Sequence, residues 1–149
     1  MAACTHESAQ SLGYLLAQIC KTHRNRISQA LASLDLHAGQ EIVLFHLWGR
    51  DGVTQSELAE SVCLQPATVT RMLGRMEQSG LIVRHPDPED QRISRVCLTP
   101  AGRALEQPVI AAWEAVEQEM MRHFSLEERL LLRRLLLQLY ANLMESEPG

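Results

Sequence analysis

The chain predicts a mainly α-helical fold carrying one small β-hairpin, and three observations predict it. Apolar residues recur at helical spacing through both ends of the chain, two short helical patterns meet across a tight turn near residue 63, and two strand-like runs bracket a loop rich in charge and proline between residues 81 and 98. At 149 residues, 46% hydrophobic and 21% charged, it is long enough to bury one substantial core, so a single domain over 1–149 is expected. No run of eighteen apolar residues and no basic start with a cleavage site is present, which predicts a cytoplasmic protein with no membrane partner.

The first helix of the central pair is announced by Thr54, Gln55, Ser56 and Glu57. The threonine hydroxyl can cap a free backbone N–H and the glutamate three residues on can cap back, which fixes the helix start at Thr54. Leu58, Ala59 and Val62 follow at helical spacing. The chain then turns through Cys63 and Leu64 into Gln65 and Pro66, and proline favours a first helical position. Along this second helix Val69, Met72, Leu73 and Met76 form the buried stripe, whereas Thr68, Arg71 and Arg75 fall on the opposite face. Gly80 supplies a left-handed stop, and Leu81 to His85 read as a strand. Pro86 to Arg92 is too polar for core, and Val96 with Leu98 alternates as the returning strand.

A polar, basic helix face fits the major groove of DNA, where arginine can donate two hydrogen bonds to guanine; a protruding loop arginine suits the narrower minor groove. Here the residues carry a resemblance. Leu36 with Gln40, TQSELAE over 54–60, PATVTR over 66–71, GLIVR over 80–84, Asp90-Gln91-Arg92 and the Leu98, Thr99, Gly102 of an LTxxG signature occur in order at fitting intervals. Together they resemble the winged helix-turn-helix of the multiple antibiotic resistance regulator (MarR) family over nearly the whole chain. The resemblance implies a winged lobe at about 36–100 and dimerisation helices at about 8–34 and 100–146. With the helix face and the loop, it assigns DNA binding to Thr54, Gln55, Gln65, Pro66, Ala67, Thr68, Thr70, Arg71 and Arg75, and in the wing to Arg84, Asp90, Gln91, Arg92 and Arg95. Two positions depart from the pattern. His37 replaces the threonine that commonly opens the second helix, and Gln91 stands where a basic residue is frequent, removing about one phosphate contact if that position meets DNA.

The net charge of −4 is unevenly spread. Residues 65–103 hold six arginines against four acids, a net of +2, and the rest carry −6. The reading lobe can approach phosphate while acidic helices face water or a partner. At the N-terminal end Leu12, Leu16, Ile19, His23, Ile27, Ala30 and Leu34 make a long apolar stripe. At the other end a helix from Thr99 and Pro100 carries Leu105, Val109, Trp113, Val116 and Met120, bent at Pro108. Ser125 and Glu128 form a capping box for a last helix whose leucines wrap more than one face. Surplus apolar surface and the resemblance together imply a homodimer holding two reading helices about 34 Å apart on a pseudo-palindromic, double-stranded operator. Repression is the expected mode.

The remaining residues bear on regulation. Cys4, Cys20, Cys63 and Cys97 lack CxxC spacing, so reduced thiols are expected, with Cys4 in a tail and the other three packed as small apolar groups. Some members of the family sense peroxide through a cysteine near the start of the first helix. Cys20 is the redox candidate here, although that position falls nearer Gly13. Glu41 lies where a zinc-sensing relative has a ligand, but Ile42 breaks the pair, so no metal and no cofactor are expected. The family's commoner effector, a small aromatic acid or phenol, would find Tyr14, His23, His37, His46 and Trp48 as rings with polar tips near the first two helices. No phosphate-cradling loop, HExxH or nucleophile–base pair points to an enzyme. A protein-binding adaptor built on the same lobe is the alternative class.

Overall fold

The computed structural model describes residues 11–145; Cys4 lies outside them. Within it the chain forms two compact units, one reaching to Val116 and one starting at Glu117. The first opens with α1 (Leu12–Leu31), capped by the Ser11 hydroxyl accepting from the Tyr14 N–H, and continues into a 3-10 turn at Ala32–Leu34. Of the stripe expected along α1 Ile27 is buried, His23, Ala30 and Leu34 are half-buried, and Leu12 and Ile19 stay exposed; Leu31, outside the stripe, is also buried.

Helix α2 (Gln40–Gly49) sends Val43, Leu44 and Leu47 into the core. With no threonine at position 37, its start is held by other means: Gln40 Oε1 accepts the His37 N–H at 2.9 Å, and a Glu41 carboxylate oxygen accepts the Gly39 N–H at 2.6 Å. Strand β1 (Val53–Thr54) leads into α3 (Gln55–Ser61), where both halves of the expected capping box are present, Glu57 N–H to Thr54 Oγ1 at 3.1 Å and Thr54 N–H to Glu57 at 2.8 Å. The turn places Cys63 at φ 52°, and α4 (Pro66–Gln78) begins at its proline as predicted. Val69, Leu73 and Met76 are fully buried beneath it; Met72 is half-buried.

Strands β2 (Ile82–Pro86) and β3 (Ser94–Leu98) pair antiparallel from Ile82↔Leu98 to Pro86↔Ser94. The expected hairpin is there, but β1 adds a third strand in the order β1-β3-β2, with Val53 opposite Val96 and Thr54 opposite Arg95. Two residues are too few to show a period of two, so the strand was invisible to pattern. Helix α5 (Pro100–Ala104) starts at the Thr99 cap, and α6 (Glu106–Met120) follows after a break at Leu105. Pro108 was expected to bend one helix, but the helix instead divides, because proline cannot bond to the carbonyl four residues back at Ala104 and its ring crowds that carbonyl.

Three cysteine expectations are corrected. Cys20 and Cys63 are exposed and Cys97 is half-buried. On α1 the thiol lies on the same face as Ile27 and Leu31 but nearer the N-terminal end, where Leu12, Leu15 and Ile19 are exposed as well, and Cys63 sits in the left-handed turn. In the second unit α7 (Leu126–Glu145) follows a Ser125/Glu128 capping box, and none of its residues is buried. Leu130 is 60% and Leu143 66% exposed.

The LTxxG signature has a packing reason. The Thr99 hydroxyl donates to Gly80 O at 2.6 Å and accepts the Gly102 N–H at 3.1 Å, and a Cβ at Gly102 would fall on the Leu81 carbonyl. Gly102→Ala should therefore destabilise the first unit by about 1–3 kcal/mol, read as a lower denaturant midpoint with unchanged slope.

Candidate nucleic-acid interface

The reading face is built on α3, the turn and α4. Gln65 caps α4 with an extended backbone, and its carbonyl accepts the N–H groups of Thr68 and Val69. Pro66, Ala67, Thr70, Arg71 and Arg75 are exposed along α4, with Thr68 half-buried. Thr70 and Gln55 are locked together: Gln55 Nε2 donates to Thr70 Oγ1 at 2.7 Å, and that hydroxyl donates to Pro66 O at 2.9 Å. The two helices of the motif are thereby clasped at their outer surface. Glu57, the acid of the capping box, is held below the usual carboxylate range, chiefly by the Thr54 backbone N–H and then by its hydroxyl.

The six arginines of residues 65–103 divide into two groups. Arg84 gives Nε and Nη2 to one Glu77 oxygen at 3.0 and 2.6 Å, and its backbone N–H goes to the other. Arg95 gives Nε to Asp87 and Nη1 to Gly52 O at 2.8 Å. Arg103 pairs with Asp51. Arg71, Arg75 and Arg92 make no ion pair among the described residues. Of the five arginines assigned to DNA, the two on the strands, Arg84 and Arg95, are thus paired with carboxylates of the chain itself. The pairing acids Glu77 and Asp87 were missed. Their partners lie seven and eight residues along the chain, across a strand entry and a loop, where no helical or strand period connects them.

The wing tip is ordered by acids. Asp90 accepts the Arg92 N–H at 3.0 Å, so Asp90 shapes the tip while the Gln91 and Arg92 side chains stand exposed. Between α3 and the wing lies a cavity of about 710 Å³ lined by Thr54, Gln55, Cys63, Leu64, Pro66 and Arg92. A smaller one, about 220 Å³, separates the start of α2 from α4, with His37, Gln40, Thr68, Arg71 and Arg75 on its walls.

The five residues expected to line one effector pocket are not gathered together. His37 faces the reading helix, His46 is exposed, and Tyr14 is exposed with its hydroxyl accepting from Gln18. His23 and Trp48 do belong to one cluster, through Trp113 and Phe45: His23 meets Trp113 edge-on at 5.3 Å, Trp113 meets Phe45 at 5.3 Å, and Phe45 meets Trp48 at 5.6 Å. Trp48 Nε1 donates to Gly102 O at 3.1 Å, whereas Trp113 Nε1 is buried without a partner among the described residues. Glu41 lies nearby in electrostatic terms. It is 4% exposed, and burial pushes its carboxyl up from the ordinary value against the pull of backbone N–H groups, Arg24 and His23. Among the described residues no group of three or more His, Cys, Asp or Glu is placed to hold a metal.

An exposed helix face with uncompensated arginines, beside a hairpin that projects a further one, defines a winged helix-turn-helix of the DNA-binding class. The MarR family model matches residues 36–94. The transcriptional regulator HosA of Escherichia coli O111:H- is 32% identical over 120 residues, 80% of this chain and 87% of that protein. An uncharacterised helix-turn-helix-type regulator of Bacillus subtilis, YdgJ, is 36% identical over 101 residues, 68% of this chain but only 62% of its own length. The crystal structure of an Escherichia coli MarR variant with operator DNA superimposes with a TM-score of 0.82 at 27% identity, covering 92% of this chain and 99% of that one. The chain belongs to the MarR family of transcriptional regulators and is not an enzyme. No helix among the described residues is long and apolar enough to cross a membrane.

Because the folded state raises the Glu41 carboxyl, that group stabilises the fold below its unfolded value near 4.5 and the contribution is lost as pH rises through the folded value. Glu41→Gln should gain stability relative to the parent as pH climbs from about 4.5 toward 7. Parallel urea titrations at the two ends of that range would show it; a pH-independent difference would refute the assignment.

Proposed function

We propose that the chain is a homodimeric repressor that reads a pseudo-palindromic, double-stranded operator and is released by a small aromatic acid or phenol. The carrying observation is the sorting of the six arginines of residues 65–103: among the described residues Arg71 and Arg75 on α4 and Arg92 at the wing tip have no carboxylate partner, one set per groove. Thr68, Thr70, Gln65, Ala67 and Gln55 frame the major-groove contacts, and Gln91 accompanies Arg92. Arg84, Arg95 and Asp90 act by shaping the wing. Exposed leucines on α7 support a second copy as the partner, since apolar surface of that extent is costly in water.

The release step is supported by Trp113. A buried indole N–H without an acceptor costs about 1–3 kcal/mol, a deficit that a carboxylate or phenol oxygen beside His23 would remove. Trp113→Phe keeps the ring and removes the donor. It should bind operator normally and respond at least tenfold more weakly to phenolic acids, by about one hydrogen bond to a charged group; an unchanged response would exclude the site. Peroxide added to the same assay tests the alternative route through the exposed Cys20 thiol.

Anisotropy titration of the full chain against its own upstream DNA, across salt concentrations and with unrelated competitor, tests the core reading. Saturation should need two chains per duplex. Arg71→Ala should weaken selective binding by about 1–3 kcal/mol, and Arg92→Ala should flatten the salt dependence by about one unit of slope. An adaptor would show neither effect.

A further inference from the structure

The wing is fastened to the helix-turn-helix through one buried acid. Asp87 is 5% exposed, although Pro88, Glu89, Asp90 and Gln91 beside it are all exposed. One of its oxygens accepts the N–H groups of Glu89 at 2.8 Å and Asp90 at 3.1 Å, and the other takes Arg95 Nε. These bonds, the Glu89 N–H first and Arg95 next, hold its carboxyl below the usual range, so it is charged wherever the protein is folded near neutrality. The same guanidinium reaches Gly52 O at 2.8 Å. Gly52, at φ +72°, immediately precedes β1, whose Thr54 pairs with Arg95 across the sheet and caps α3. At the far end Asp90 fixes the Arg92 N–H, and Ile93 N–H returns to Asp90 O at 2.9 Å. An unbroken path of hydrogen bonds therefore runs from the wing tip to the start of the reading motif.

On electrostatic grounds alone an acid in this lobe is a liability, because it repels the phosphates that the lobe must approach. The geometry points to a compensating role: we infer that Asp87 is a positioning residue for DNA reading, fixing with Arg95 the separation between Arg92 and the face of α4, with neither of the pair touching DNA. The inference rests on the reading of Arg71 and Arg92 given above. It makes the width of each half-site, the distance between its major-groove and minor-groove determinants, a property of an internal ion pair.

Charge and position make opposite forecasts for Asp87→Asn, which deletes a negative charge from the DNA-facing lobe. Binding of the full chain to the duplex it selects from random-sequence DNA should weaken about tenfold, with hydroxyl-radical protection lost under the wing and kept under α4. In an Arg92→Ala background the same substitution should change affinity less than twofold, because the side chain being positioned is gone. Arg95→Lys provides a second variant that retains the charge; it should weaken binding comparably with an unchanged salt slope, whereas a phosphate contact would be rescued by lysine. Equal or tighter binding by Asp87→Asn, or additivity with Arg92→Ala, overturns the inference. Should Arg92→Ala alone leave affinity and salt slope unchanged, the wing's role in DNA reading fails instead, a result distinct from failure of the brace.

Discussion

The reading lobe depends on a backbone approach at Gly102. Helix α5 can lie against the Leu81 carbonyl only because position 102 has no Cβ, and Thr99 binds both sides of that junction at once. Leu81 is the residue through which α4 passes into β2, and Thr99 follows the last residue of β3. The same contact therefore sets where the recognition helix ends, where the wing begins and where the chain departs toward α6. Trp48 reaches the Gly102 carbonyl from α2 and joins the junction to the aromatic cluster. A region commonly described by its groove-facing side chains is, in its construction, organised around a glycine on the opposite side.

What could be read from the sequence was what acts over short range. Thr54 and Glu57 face each other within one helical turn, Pro66 presets its own backbone angle, and Thr99 caps three residues ahead; each is complete within a few positions and each is realised. The alternation of Val96 and Leu98 likewise placed β3. Other features depend on separation. Arg95 bonds to a carbonyl 43 residues earlier, and no local pattern distinguishes an arginine offered to solvent from one folded onto a carboxylate. The cysteines misled for a related reason: a small apolar side chain has no signature of its own, and the left-handed angle at Cys63 exposes a thiol whose type favours burial. Ring chemistry and nearness along the chain do not settle which face a residue occupies: His23 and Trp48 join one aromatic cluster, whereas Tyr14, His37 and His46 lie apart from it.

The acids of the lobe have a common use. Glu77, Asp87 and Asp51 each take an arginine, and Asp87, Asp90 and Asp51 also accept backbone N–H groups of Glu89, Arg92 and Gly52 in loops that hold no ladder of their own. Loops of this kind would otherwise be conformationally free. Carboxylates give the hairpin and its approach a defined shape, and the arginines they engage have their charge withdrawn by pairing, although Arg95 and Arg103 stay partly exposed.

That withdrawal bears on how the protein would find its site. The formal surplus of +2 over residues 65–103 suggests an adhesive lobe, yet three of its six arginines are already neutralised at short range. Affinity for arbitrary DNA grows with the number of phosphates neutralised, each worth a counterion released. With few loose cations, a lobe of this design has little sequence-independent affinity to draw on. Occupancy of an operator then relies on the fit of a few well-placed groups, and a modest change in that fit is enough to clear it.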